Sequence, residues 1–359
     1  MKIVTIIGAR PQFVKAAVVS RAISENSNIE EIIVHTGQHY DKNMSDIFFD
    51  EMDIRKPDYN LNINGLSHGA MTGQMLEAIE KILIKENPNW VVVYGDTDST
   101  LAGALAASKL HIKIAHVEAG LRSFNTKMPE EINRILTDRV STILFCPTDK
   151  AIANLKTEGF ESFNCNITKC GDVMYDAALY YNKKSRKPNF DVPNKYILCT
   201  IHRAENTDSL DNLSAIMLAL KKISEETDII IPIHPRTKNV LSKSKFDFTN
   251  EHIQFVEPVG YFEMLWLINN SELIMTDSGG LQKEAYFFEK KCITLRNETE
   301  WIELVKCGCN ILAGADTTKI LEAVNVMKTA TPNFSKKLYG NGNTGQFIVN
   351  ELTRLSATQ

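Results

Sequence analysis

Residues Trp90–Thr100 read WVVVYGDTDST, and Lys113–Gly120 read KIAHVEAG. In each, an apolar run stops at a turn that carries an acid. A strand with one wet face alternates apolar and polar residues, whereas an unbroken apolar run suits a strand covered on both faces. That pattern recurs at Lys2–Ile7, Glu31–Thr36 and Thr142–Cys146. A second series follows at Lys195–Ile201, Asp228–Ile233, His252–Val256, Glu272–Thr276 and Lys291–Leu295. The intervals are long enough for helices, so the chain predicts parallel sheets with right-handed crossovers. The polar stretch Asn182–Asn194, with Pro188 and Pro193, reads as the linker between the two series. The expected class is α/β: two Rossmann-like, doubly wound domains with an active-site cleft between them.

Length agrees, since 359 residues at roughly 150 per domain make about 2.4 domains. Forty Lys and Arg against 44 Asp and Glu leave a net charge of −4, which argues against a basic nucleic-acid binder. Hydrophobic residues at 43% argue against long disorder. No apolar run approaches the ~20 residues that span a bilayer, and Ile3–Ile7 is short for a secretory core of about 7–15 residues. A soluble, cytoplasmic protein without a membrane partner is expected. The seven cysteines are odd in number and include no C-x-x-C pair, as for small buried thiols.

In open parallel sheets ligands bind beyond the carboxyl ends of the strands. Here those ends run repeatedly into His, Arg, Asp and Glu. The first turn, Gly8-Ala9-Arg10-Pro11-Gln12, lacks the three glycines of a dinucleotide fingerprint. Arg10 and Lys15 could instead face an anionic ligand across it. Thr276-Asp277-Ser278-Gly279-Gly280 leads into a helix expected over Leu281–Phe288. Backbone amides at such a start favour phosphate, and Glu284 one turn later could accept from both ribose hydroxyls. Ser278 as a plain helix cap is the simpler alternative.

Asp96 and Glu118 end neighbouring strands. Glu130 and Glu131 follow Pro129 at a helix start, where acids also suit the helix dipole. Helical spacing puts Glu130, Asn133, Arg134 and Thr137 on one polar face, with Ile132, Ile135 and Leu136 elsewhere. Acids at adjacent strand ends suit general acid–base chemistry. His202-Arg203 and His234-Pro235-Arg236 suggest recognition of a doubly charged anion. No histidine spacing favours a metal.

Taken together and in order, these motifs resemble the non-hydrolysing UDP-N-acetylglucosamine 2-epimerase family over nearly the whole chain. Gly37-Gln38-His39, Gly95-Asp96-Thr97-Asp98-Ser99-Thr100, His116-Val117-Glu118-Ala119-Gly120-Leu121-Arg122 and Pro129-Glu130-Glu131-Ile132-Asn133-Arg134 carry the resemblance. So do His202-Arg203-Ala204-Glu205 and Thr276–Glu284. The resemblance implies a glycosyltransferase-B-like fold and inversion of C2 of a UDP-sugar through a glycal, with no cofactor. It implies Asp96, Glu118, Glu130 and His202 as catalytic residues. Arg10, Lys15, Arg134, His234, Met264, Ser278, Gly279, Gly280 and Glu284 would bind substrate, with the segment Tyr261–Leu265 bordering uracil. Gln38 and His39 match a loop where bacterial members bind an activating UDP-GlcNAc. A homodimer serving cell-surface polysaccharide synthesis is implied too. The expected domains are 1–170, rejoined by a C-terminal helix at about 345–359, and 171–344.

The chain also departs from the family pattern. Ala9 and Gln12 stand where many members have Thr and Glu, and Trp301-Ile302 where many have Arg-Pro. Such variants resemble the branch acting on UDP-2,3-diacetamido-2,3-dideoxyglucuronic acid. A retaining glycosyltransferase on the same fold and a non-catalytic nucleotide-sugar sensor are the alternatives.

Overall fold

The computed structural model describes residues 1–38, 52–233, 237–238, 240–241 and 250–357, and of Arg10 only the backbone. The chain folds as two compact units, Met1–Leu179 with Leu338–Gln359, and Tyr180–Lys337.

The first unit is built on seven strands: β1 (Lys2–Ile7), β2 (Glu30–His35), β3 (Tyr59–Asn60), β4 (Trp90–Tyr94), β5 (Lys113–Val117), β6 (Ile143–Cys146) and β7 (Asn166–Lys169). Their order is β3-β2-β1-β4-β5-β6-β7, with every pairing parallel. The second unit holds β8 (Tyr196–Thr200), β9 (Asp228–Pro232), β10 (Ile253–Val256), β11 (Leu273–Thr276), β12 (Lys291–Thr294) and β13 (Asn310–Leu312). Their order is β10-β9-β8-β11-β12-β13, again parallel throughout. Both are doubly wound α/β sheets, as the unbroken apolar runs require. All five side chains of β4 are fully buried, each aliphatic one contributing about 1.5–3 kcal/mol.

Three strands escape the apolar pattern. β3, β7 and β13 are short edge strands whose Asn166, Lys169 and Asn60 are exposed or polar. An edge has little apolar surface to bury and leaves little hydrophobic signal. The linker reading of Asn182–Asn194 also needs correction. The units divide earlier, between Leu179 and Tyr180. Phe190 and Val192 pack on the second unit's core, and Arg186 is held there by Glu263 at 2.6 Å. Proline and charge marked a segment that is irregular but anchored. The C-terminal helix Thr344–Ala357 belongs to the first unit and packs on the helix Arg10–Ser24.

In each sheet the winding reverses once, between β1 and β4 and between β8 and β11. Such switch points open a crevice beyond the carboxyl ends, where ligands bind. The turns after those four strands carry most of the candidate residues.

Candidate active site

In the first unit, β1 ends at Gly8. A Cβ there would lie 2.1 Å from the hydroxyls of both Thr36 and Ser99, so only glycine lets this turn close. Gln12 then ties the turn to β4. Its Oε1 accepts from the amides of Gly8 (2.8 Å) and Ala9 (3.0 Å), and its Nε2 donates to Tyr94 O and Thr100 Oγ1, both at 2.9 Å. An ionised glutamate could not donate to Tyr94 O, having no proton to give. The departure at position 12 is therefore internal bracing.

Beyond β4, Gly95 adopts φ +64°. A Cβ on it would come within 3.2 Å of Lys15 Nζ and 3.4 Å of Glu118 Oε2. Lys15 donates to Glu118 Oε2, and Arg134 joins Asp96 Oδ2 at 2.5 Å and Glu131 Oε2 at 3.0 Å. Burial pulls the Arg134 pKa down, but Asp96, Glu131 and Glu118 together outweigh it and raise the net value. Lys15, Asp96, Glu118 and Arg134 thus form one cluster. Glu118 itself has φ +71°, a left-handed backbone that costs a non-glycine residue on the order of 1–3 kcal/mol.

The two acids of the Pro129–Val140 helix part company. Glu131 is buried and takes four hydrogen bonds: Ser123 N, Ser123 Oγ and Phe124 N at 2.9 Å, and Arg134. Glu130 is exposed at the helix start. Asn133, Arg134 and Thr137 face inward while Ile132 and Leu136 are exposed, so this helix buries its polar side. Asn133 bridges Asp96 O (3.0 Å) and Asp98 Oδ1 (3.1 Å), and His68 Nδ1 lies 2.9 Å from Asp98 Oδ2. Gln38 Oε1 accepts from Ser99 N (3.1 Å) and Oγ (2.7 Å). His39, His234 and the Arg10 side chain lie outside the described residues.

In the second unit, Thr200, His202, Pro232, Pro258, Val259, Met264, Ser278, Gly280, Leu281 and Glu284 line a pocket of about 270 Å³. Ser278 caps the helix Gly279–Phe287, accepting from Leu281 N. The Gly279 and Gly280 amides, in its first turn, have no partner within the helix. Burial pushes the Glu284 carboxyl up to about 7, against the smaller opposing pull of Lys283 and of the Tyr261 hydroxyl. His202 is positioned through its backbone: the fully buried Asp277 accepts from the amides of His202 (3.0 Å) and Arg203 (3.0 Å) and from Asn206 Nδ2 (3.1 Å). Trp301, one of the departing residues, is buried against this turn. Its Nε1 donates to Gly279 O at 2.9 Å, and Lys283 Nζ stands 4.2 Å from its ring centroid.

Sequence reasoning missed Asp277 as a brace, and with it the buried Asp138 of the first unit. For Asp277 the signal is an acid inside the strand-end motif Thr276–Gly280; Asp138, late in a helix, leaves none. Among the described residues, no three His, Cys, Asp or Glu side chains are grouped to hold a metal. No described helix is long and apolar enough to cross a membrane.

Residues 21–353 match the family model for UDP-N-acetylglucosamine 2-epimerase. The chain belongs to the UDP-N-acetylglucosamine 2-epimerase family. Among relatives of that family, it is 54% identical to the UDP-2,3-diacetamido-2,3-dideoxy-D-glucuronate 2-epimerase of Pseudomonas aeruginosa, over 99% of this chain and 100% of the relative. A solved UDP-GlcNAc 2-epimerase of Methanocaldococcus jannaschii, in complex with UDP-GlcNAc and UDP, is 46% identical with a TM-score of 0.87, covering 99% of this chain and 100% of that one. A calicheamicin glycosyltransferase shares the fold alone, at 10% identity and a TM-score of 0.59 over 98% of both chains. The epimerase family fold here is glycosyltransferase-B-like, as the resemblance implied.

Proposed function

We propose that the chain is an isomerase that inverts C2 of a UDP-N-acetylhexosamine, interconverting UDP-GlcNAc and UDP-ManNAc. The observation that carries this reading is the pair of carboxylates, Asp96 and Glu118, set at neighbouring strand ends and each held on a buried cation. Inversion needs one group to take the C2 proton and another to return one on the opposite face. The C–H electron pair becomes the C1–C2 double bond of a glycal, and the C1–O bond breaks towards UDP. Re-addition of UDP and a proton restores the sugar with C2 inverted, consuming no water. Glu131 is a poor base in this scheme, since its oxygens already accept four hydrogen bonds. Glu130 remains the third candidate, exposed and uncommitted to the Arg134 cluster.

The second unit's pocket would take the nucleotide. Glu284 would accept from the ribose hydroxyls, the Gly279 and Gly280 amides would face the diphosphate, and Met264 would border uracil. His202 and Arg203 would meet the charge that develops on the leaving diphosphate.

A second reading keeps the chemistry and changes the sugar to UDP-2,3-diacetamido-2,3-dideoxyglucuronic acid. The 54% identical relative and Trp301 favour it. Rates measured by NMR on both sugars in parallel decide between them, the larger kcat/KM naming the substrate. Transfer of the sugar from UDP to an acceptor would overturn both. A homodimer is supported by the exposed Phe124, Ile132 and Leu136 of the first unit, and a cytoplasmic setting by seven free thiols. A role in supplying cell-surface polysaccharide belongs to the same reading. Gln38 supports a second, activating UDP-GlcNAc only weakly, because its Oε1 is engaged by Ser99.

A further inference from the structure

Asp138, on the helix Pro129–Val140, is fully buried, and so is His116 on β5. Asp138 Oδ1 lies 2.7 Å from His116 Nδ1, and Oδ2 accepts from Arg122 Nη1 (2.7 Å) and from the Gly120 amide (3.2 Å). His116 Nε2 lies 2.7 Å from the Gly95 carbonyl oxygen. Both ring nitrogens lie within hydrogen-bond distance of an acceptor oxygen. Burial raises the Asp138 pKa, but His116 and Arg122 outweigh it and hold the carboxyl below its ordinary value.

These bonds lead to the two turns that carry the paired acids. Through His116, Asp138 reaches Gly95, the residue before Asp96. Through the Gly120 amide and Arg122, it reaches the turn that begins at Glu118. Gly95, Glu118 and Gly120 all have positive φ, a conformation that persists in a non-glycine residue only where its surroundings enforce it. Sequence reading gives neither side chain a role of its own: His116 sits inside an apolar strand, and Asp138 late in a helix.

We propose that Asp138 and His116 are positioning residues for C2 inversion, fixing the separation of the Asp96 and Glu118 carboxylates through the backbone of their turns without touching the sugar. The inference rests on the epimerase reading. Proton transfer is steep in distance, and a misplacement near 1 Å can cost about 100-fold in rate. A brace of this kind should therefore act on kcat and leave KM almost unchanged.

The test compares His116→Gln with His116→Asn. A glutamine amide reaches about as far as Nε2 and can donate to Gly95 O, while an asparagine reaches only Asp138. Both give up one buried bond, so both should lower the melting temperature by a similar amount. The expected kcat loss is about 100-fold in His116→Asn and within about 10-fold in His116→Gln, with KM within about twofold in each. UDP affinity by calorimetry should match wild type in both. Equal kcat in the two variants, or a loss confined to KM, would overturn the proposal. If His116→Asn does not fold, Asp138→Asn carries the test: it keeps the volume and the His116–Gly95 bond but weakens the Gly120 and Arg122 side. It should lower kcat about 10- to 100-fold at wild-type UDP affinity, and an unchanged kcat would overturn the brace. A wild-type enzyme inactive on both sugars would instead remove the functional reading on which the brace rests.

Discussion

The carboxyl edges of the two sheets share one topology and carry different side chains. In the first unit the turns after β4 and β5 are packed with charge: Asp96 on Arg134, Glu118 on Lys15, all four drawn together. In the second unit the turns after β8 and β11 border an open, largely apolar pocket with one carboxyl, Glu284, pushed up to about 7 by burial. Paired ions hold carboxylates at fixed positions and suit proton transfer. An open pocket with helix amides suits a nucleotide. Each edge also has a buried aspartate that accepts from backbone amides, Asp138 from Gly120 in the first unit and Asp277 from His202 and Arg203 in the second.

The sharpest way to break this division is to neutralise the first edge. Asp96→Asn or Glu118→Gln should lower kcat by about 1,000-fold and leave UDP affinity, measured by calorimetry, within about twofold. Parallel losses in both quantities would show that the units do not separate binding from chemistry. At the second edge, Asp277→Ala strips partners from two amides and Asn206. It should destabilise the second unit by about 3 kcal/mol in urea unfolding and weaken UDP binding. A stable variant with normal UDP affinity would remove Asp277 from the account.

Glu284 offers a subtler test. Its folded carboxyl keeps a proton up to about 7, whereas the unfolded one loses it near 4.5. Between those values the folded state holds the extra proton, so stability falls as pH rises through the window and then levels off. Glu284→Gln should flatten that slope, a difference of about 2 kcal/mol once partial exposure is discounted. Ribose hydroxyls favour the ionised carboxylate, so UDP binding near pH 7 should release about 0.5 proton per site. Calorimetry in buffers of different ionisation enthalpy measures it, and proton uptake would contradict the assignment. The smallest effect is expected at the exposed apolar side of the helix Pro129–Val140. Ile132→Lys should shift mass towards monomer in light scattering and leave UDP affinity unchanged.

How much of this was legible in the sequence follows from what each residue contacts. Parallel strands buried on both faces leave an unbroken apolar run, so β1, β4 and β5 could be read directly. The edge strands β3 and β7 bury too little to leave one. That Asp96 and Glu118 lie side by side was legible because each ends an apolar strand, whereas Lys15 comes to them from the helix Arg10–Ser24. Glu130 and Glu131 could not be told apart, because only tertiary packing sends one into the Arg134 cluster and leaves the other in water. The Pro129–Val140 helix misleads simple hydrophobic reasoning, since its polar side is buried and Ile132 and Leu136 are exposed. Asp138 and Asp277 act on backbone far along the chain, a partnership that periodicity does not encode.

The central claim is that C2 is inverted by removing and returning its proton while UDP is kept available for re-addition. Incubation with UDP-GlcNAc, and separately with the diacetamido-uronate, in D2O followed by NMR tests it most directly. The account predicts epimers of the turned-over sugar carrying deuterium at C2, with the UDP linkage restored. Epimers formed with the original C2 hydrogen in place would contradict it.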